Sequence, residues 1–101
     1  MSPVNRYQLS TEAEYDIDDL FEYGATQFGF DAAIDYLSSV DQLFERLVDN
    51  PEQGRVRPEV MANLRSIRHE PYTVFYQIQG DCIWVARILR SSRDLPSFFG
   101  D

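Results

Sequence analysis

The spacing of apolar residues changes at the Asn50–Gly54 turn, and that change dictates a helical layer followed by a run of strands. From Ala13 to Asn50 the apolar period is helical; beyond Gly54 it becomes extended. Because helices and strands place side chains with periods of 3.6 and 2, one stretch cannot satisfy both patterns. In the first part, Ala13, Ile17, Leu20, Gly24 and Phe28 fall within a stripe of roughly 80° on a helical wheel, which predicts a helix with one buried face. Ser10 or Thr11 offers its N-cap, Thr11-Glu12-Ala13-Glu14 fits a capping box, and Gly29 supplies a stop. Tyr15, Asp18, Asp19 and Glu22 occupy the far side, so the acids of this helix read as a solvated face.

A second helix is predicted from an Asp31 cap to about Asp49, closed by Asn50-Pro51. Its apolar positions cover roughly 140°, wider than one neighbour requires. Contact with both the first helix and a sheet accounts for that width. A spare edge near Tyr36 and Leu43, kept for a partner, is the alternative. Val4–Leu9 reads as a short strand, Asn63–His69 as another, and Tyr72–Gln79 and Cys82–Arg90 as strands rich in β-branched and aromatic residues. Gly80-Asp81 joins the last two as a two-residue turn that opens with glycine. The expected order is β-α-α-β-β-β over a single domain, residues 1–101. It is an α+β fold with a helical hairpin packed on one face of a mainly antiparallel sheet.

Charge divides the chain at the same place. Residues 1–53 hold 12 acidic and 2 basic side chains, whereas residues 54–101 hold 5 acidic and 7 basic ones. The net charge of −8 opposes general affinity for nucleic acid, whose phosphates demand cations. Every basic residue is an arginine. No apolar run approaches the ~20 residues that span a bilayer, so a soluble, cytoplasmic protein without membrane contact is expected. One cysteine, Cys82, and one histidine, His69, leave little from which to build a disulfide or a zinc site. No metal or cofactor is expected.

Few residues could carry catalysis. A nucleophile needs a base within reach, and His69 stands alone before the Pro71 break. The arginines Arg55, Arg57, Arg65, Arg68, Arg87, Arg90 and Arg93 are the informative set. By strand alternation, Ile83, Val85, Arg87 and Leu89 share one face, and Trp84, Ala86, Ile88 and Arg90 the other. An arginine among apolar strand positions must meet a carboxylate or carbonyl, or face an open groove. A buried pair with Asp94 or with an acid from the helices is one solution for Arg87; a binding role is the other.

A series of short motifs, in order, gives the chain a family resemblance. Tyr7-Gln8-Leu9-Ser10 precedes Ala13 and Asp16; Pro51-x-x-Gly54-Arg55 follows. Then come Leu64-Arg65, His69 ahead of Val74-Phe75-Tyr76, Arg87-Ile88-Leu89 and Arg93-Asp94. Together these resemble the ParE toxins of the RelE/ParE superfamily and span residues 7 to 94. The resemblance implies the same β-α-α-β-β-β fold and the toxic half of a type II toxin–antitoxin pair. It also implies a ParD-type antitoxin as partner in a hetero-oligomer, and a non-enzymatic poison of DNA gyrase that traps cleaved DNA. RelE-like relatives cleave mRNA on the ribosome instead. That alternative would use Arg65, Arg68 or Arg87 with His69 as acid–base. Arg90 stands where the family often carries histidine, and Ser91-Ser92 precede Arg93 in place of the more typical residues; both departures, with the negative charge, weaken the ribonuclease alternative.

On this reading an acidic and apolar antitoxin segment meets Arg55, Arg57, Arg65, Arg68, Trp84 and Arg87, arginines pairing its carboxylates. Tyr76 is a further aromatic candidate, with burial against the helices the stronger expectation. Arg90, Arg93, Leu95, Phe98 and Phe99 are the candidates for target contact. Direct nucleic-acid binding by the toxin alone is not expected.

Overall fold

A computed structural model describes residues 3–91. Strand β1 (Arg6–Leu9) leads into helix α1 (Thr11–Phe28) and helix α2 (Phe30–Asp49). A 3-10 turn (Pro51–Gln53) then precedes β2 (Arg55–Val56), β3 (Arg65–His69), β4 (Tyr72–Gln79) and β5 (Cys82–Arg90). The five strands form one sheet in the order β1-β5-β4-β3-β2. Neighbours are antiparallel, except that β1 runs parallel to β5 with Arg6 opposite Cys82 and Leu9 opposite Val85. The expected helical hairpin on a mainly antiparallel sheet is therefore present, with the two-residue β2 added at one edge. So short a strand carries no periodicity by which it could have been anticipated.

The local signals resolve in favour of some caps over others. Ser10, not Thr11, caps α1: its Oγ accepts from the Ala13 amide at 2.9 Å and donates to the Ala86 carbonyl at 2.7 Å. No capping box forms, because with Ser10 as the cap the third helical position is Ala13 rather than a glutamate. Asp31 does not cap α2 either. Gly29, at φ 99°, ends α1 and begins α2 at once, and Asp31 lies inside the first turn. Gly80, at φ 61°, turns β4 into β5, with Gln79 opposite Cys82 and no positive φ at Asp81. Strand β3 starts at Arg65 rather than Asn63, since Asn63 is itself left-handed, at φ 63°.

The main core lies between hairpin and sheet. Val40, Leu43, Phe44 and Leu47 of α2 meet Val74, Tyr76, Ile83 and Val85, all essentially inaccessible. Full burial of each such side chain stabilises by about 1.5–3 kcal/mol. Leu43 is thus core, and the breadth of the α2 stripe reflects its two neighbours. A smaller cluster of Leu64, Phe75 and Leu89 lies apart from it, with Val60 and Ala86 packed alongside. The α1 stripe is buried only in part: Ala13 and Leu20 are enclosed, but Phe28 is 73% exposed. Strand alternation in β5 also fails midway. An irregularity between Phe75 and Tyr76 shifts the register, leaving Phe75 opposite Arg87 but Tyr76 opposite Val85. As a result Ile88 joins Ile83 and Val85 in the main core, while Leu89 belongs to the smaller cluster with Ala86 alongside.

Candidate functional site: the open face of the sheet

Strand alternation carries Ser66 and Arg68 of β3 to the face opposite the helices, and Arg55, paired with Ser66, follows them. The outcome is a groove of about 420 Å³ whose walls include Arg55, Arg57, Arg68, Ser66, Thr73 and Phe75. Arg57 donates from its guanidinium to Ser66 Oγ at 3.1 Å and pairs with Glu59 at 2.6 Å. That pairing holds the exposed Glu59 carboxyl below its usual range, the hydrogen bond from Arg57 being the main cause. Arg68 reaches Glu70 at 3.2 Å, with both side chains largely in solvent. Arg55 makes no ion pair with any described residue. Thr73 Oγ1 and Ser91 Oγ lie 2.9 Å apart across the strands. Half-buried Trp84 stands opposite Gln77 in the register. These residues offer a partner three cations, several hydroxyls and an aromatic surface, which suits carboxylates flanked by apolar side chains.

Two of the expected arginines are held by the fold itself. Arg65 donates to the carbonyls of Gly54 at 2.9 Å and Glu52 at 3.2 Å, pinning the turn before β2. Tyr76 holds the same turn from within the core: its hydroxyl accepts from the Gly54 amide at 2.9 Å and donates to the Pro51 carbonyl at 2.7 Å. Burial is the first cause that pushes the Tyr76 phenol up. Gly54 tolerates no side chain, because a Cβ there would lie 2.7 Å from Tyr76 Cε1 and 2.9 Å from Cζ. The Pro51-x-x-Gly54 spacing is thereby explained as architecture.

Arg87 is bound by Asp16 of α1, Nε to Oδ2 at 2.8 Å and the terminal nitrogen to Oδ1 at 3.0 Å. The carboxylate also accepts from the Ile88 amide at 2.9 Å. The position explains the chemistry. Strand β1 stops opposite Val85, so the β5 edge beyond it lacks a neighbouring strand, and Ser10 and Asp16 supply its hydrogen bonds. Asp16 is consequently an exception to the solvated acidic face of α1, and Arg87 has found its acid on a helix. Donating its hydrogen bonds to the Asp16 carboxylate holds the Arg87 guanidinium above its ordinary range.

His69 faces α2, its Nε2 2.7 Å from Ser39 Oγ and its carbonyl accepting from Tyr36 at 2.5 Å. Burial, and then the charge of Arg46, hold its imidazole below the usual value. Alternation sends Arg68 to the other side, Arg87 is tied to Asp16 of α1, and Arg65, on the same side of β3 as His69, is held by the Gly54 and Glu52 carbonyls. Arg90 lies over the rings of Tyr23, at 4.9 Å, and Tyr72, at 5.7 Å. Arg93, Leu95, Phe98 and Phe99 lie outside the described residues. Ser66, Thr73 and Ser91 were missed as groove residues. The cross-strand register set by the Glu70-Pro71 turn was the signal that could have found Ser66 and Thr73.

A helical hairpin on one face of a mixed sheet, with an arginine-lined groove on the other, is a small α+β domain consistent with the RelE/ParE fold. Residues 7–95 match the family described as the ParE toxin of the type II toxin–antitoxin system parDE, and the chain belongs to that family. It is 27% identical over 94 residues to Toxin ParE1 of Caulobacter vibrioides, covering 93% of this chain and 97% of that one. Toxin ParE1 of Mycobacterium tuberculosis is 28% identical over 92 residues, covering 90% of this chain and 94% of its own. Among solved structures, a chain of the chromosomal ParDE system from P. aeruginosa superposes with a TM-score of 0.74 at 20% identity. It covers 87% of this chain and 96% of that one, and the likeness is one of fold.

Proposed function

We propose that this ParE-family toxin is neutralised by a ParD-type antitoxin whose acidic, apolar segment lies on the open face of the sheet, and that its target is DNA gyrase. The observation that carries the antitoxin reading is the groove of Arg55, Arg57 and Arg68, three guanidiniums gathered beside the apolar Phe75 in an otherwise acidic molecule. A segment that folds on binding offsets its ordering cost by covering such an extended surface. Trp84 adds an aromatic anchor on β5. Arg90 and the segment after it, with Arg93, Leu95, Phe98 and Phe99, are assigned to the target. The gyrase assignment follows the family's mode of action, and the toxin acts by binding rather than by catalysis.

The test is a supercoiling assay with purified toxin, gyrase and antitoxin. The expected result is inhibition with accumulation of cleaved DNA, relieved by stoichiometric antitoxin. Unimpaired supercoiling by a toxin that still arrests growth would transfer the assignment to another target.

A further inference from the structure

The hairpin carries a second surface, opposite in charge to the arginine groove. Between α1 and α2, on the outside of the hairpin, runs a groove of about 570 Å³ lined by Ile17, Phe21, Ala25, Ile34 and Leu37. Phe30 packs edge-to-face on Phe21 at 5.7 Å and is 64% exposed; Ile34 is 43% exposed. Asp18 and Glu22 form the α1 wall, and Asp41 follows Leu37 by one helical step on α2. Across Thr11–Asp49 there are eleven acids and a single base, Arg46.

Charge decides what can occupy such a groove. Nucleic acid and anionic lipid surfaces are repelled by the acidic rim. A second copy brings the same acids to the same place, and like charges at an apolar contact oppose self-association. An acidic antitoxin segment complements the arginine groove and cannot also complement this one. We propose that the outer groove of the hairpin is a docking site for the toxin's target, receiving a basic amphipathic helix whose apolar side chains enter between Phe21 and Ile34 while its lysines or arginines meet Asp18 and Glu22. A helix laid in a two-helix groove presents apolar anchors at i, i+3 or i+4, and i+7. The inference rests on the antitoxin occupying the open face, and does not depend on the target being gyrase.

Two double variants test it, F30A/I34A for the apolar floor and D18N/E22Q for the rim. Both alter exposed or rim positions and keep helix-compatible residues, and circular dichroism checks that each is folded. The first readout is binding of a fluorescein-labelled Lys/Leu amphipathic peptide and of its Glu/Leu counterpart. The Lys/Leu peptide should bind the wild type, and each variant should weaken it at least tenfold; the Glu/Leu peptide should not bind. The second readout is growth arrest on induced expression, expected to be lost in F30A/I34A while antitoxin affinity stays within twofold. Equal binding of both peptides, or variants that bind like the wild type, would overturn the proposal. So would loss of antitoxin affinity with growth arrest intact, which would give the groove to the antitoxin, or a concentration-dependent dimer that F30A/I34A abolishes. Failure of the gyrase assay alone leaves these readouts unaffected, and failure of the open-face assignment would show separately in antitoxin binding to arginine variants.

Discussion

Substituting Asp16 probes whether Arg87 serves the fold or a partner. The Asp16 carboxylate accepts two hydrogen bonds from Arg87 and one from the Ile88 amide. The two side chains are 11% and 20% exposed, so the pair lies between a surface ion pair and a buried one. Exposed pairs contribute about 0–1 kcal/mol, whereas removing one partner of a buried pair costs about 3–5 kcal/mol. An orphaned amide adds about 1–3 kcal/mol. Asp16→Ala, which loses all three bonds, is therefore expected to cost about 2–4 kcal/mol. Asp16→Asn keeps an acceptor for Ile88 and should cost about 1–2 kcal/mol. Each kcal/mol lowers Tm by roughly 4–8 °C in a domain of this size, so the alanine variant should melt at least about 8 °C below the parent. A double-mutant cycle of Asp16→Asn with Arg87→Met, followed by urea denaturation, isolates the pair, with an expected coupling of about 1–2 kcal/mol. Coupling below about 0.5 kcal/mol would reduce the contact to an ordinary surface pair. Arg87→Met should leave antitoxin affinity within twofold; a tenfold loss there would return Arg87 to the partner interface.

Other perturbations follow from the same geometry. Tyr76→Phe leaves the buried Gly54 amide without its acceptor and should cost about 1–3 kcal/mol, read from a denaturant midpoint; an unchanged midpoint would mean that the turn is held by Arg65 alone. Replacing both Arg57 and Arg68 by alanine should weaken antitoxin binding by about tenfold per arginine and flatten its salt dependence, measured calorimetrically at two ionic strengths. His69 takes up a proton less readily in the folded state than in the unfolded chain, whose ordinary value is 6.5. Its contribution is complete above that value and is lost as pH falls below it toward the folded value. The drop in Tm between about pH 7.5 and 5.5 should accordingly shrink in His69→Gln. Deleting residues 95–101 should abolish growth arrest while preserving antitoxin binding; a truncated protein that remains toxic would remove the tail from the target interface.

How far the site could be read in advance depended on the range of the interactions involved. Arg55, Arg57 and Arg68 were singled out by residue type and by the charge asymmetry along the chain, both legible without the fold. The partner of Arg87 did not, because Asp16 is 71 residues away and meets it only where β1 ends beside β5. Arg65 looked equivalent to Arg68 by type and charge, yet its position in β3 turns it toward the Gly54 carbonyl instead of the open groove. Trp84 was placed on one face with Ala86 and Ile88, and the register shift between Phe75 and Tyr76 moved Ile88 into the main core.

By itself the sequence determined the helical hairpin, the β4–β5 turn at Gly80, the division of charge and the family to which the chain belongs. These follow from period, backbone preference and composition, which neighbouring residues set without reference to distant ones. Only the tertiary structure decided that β1 lies parallel beside β5, that Ser10 and Asp16 complete the exposed edge of that strand, and that Arg65 and Arg87 are held by contacts within the fold. Those outcomes rest on register and on contacts closed across most of the chain. A shift of one residue in a strand moves a guanidinium from groove to core, and no local pattern records it.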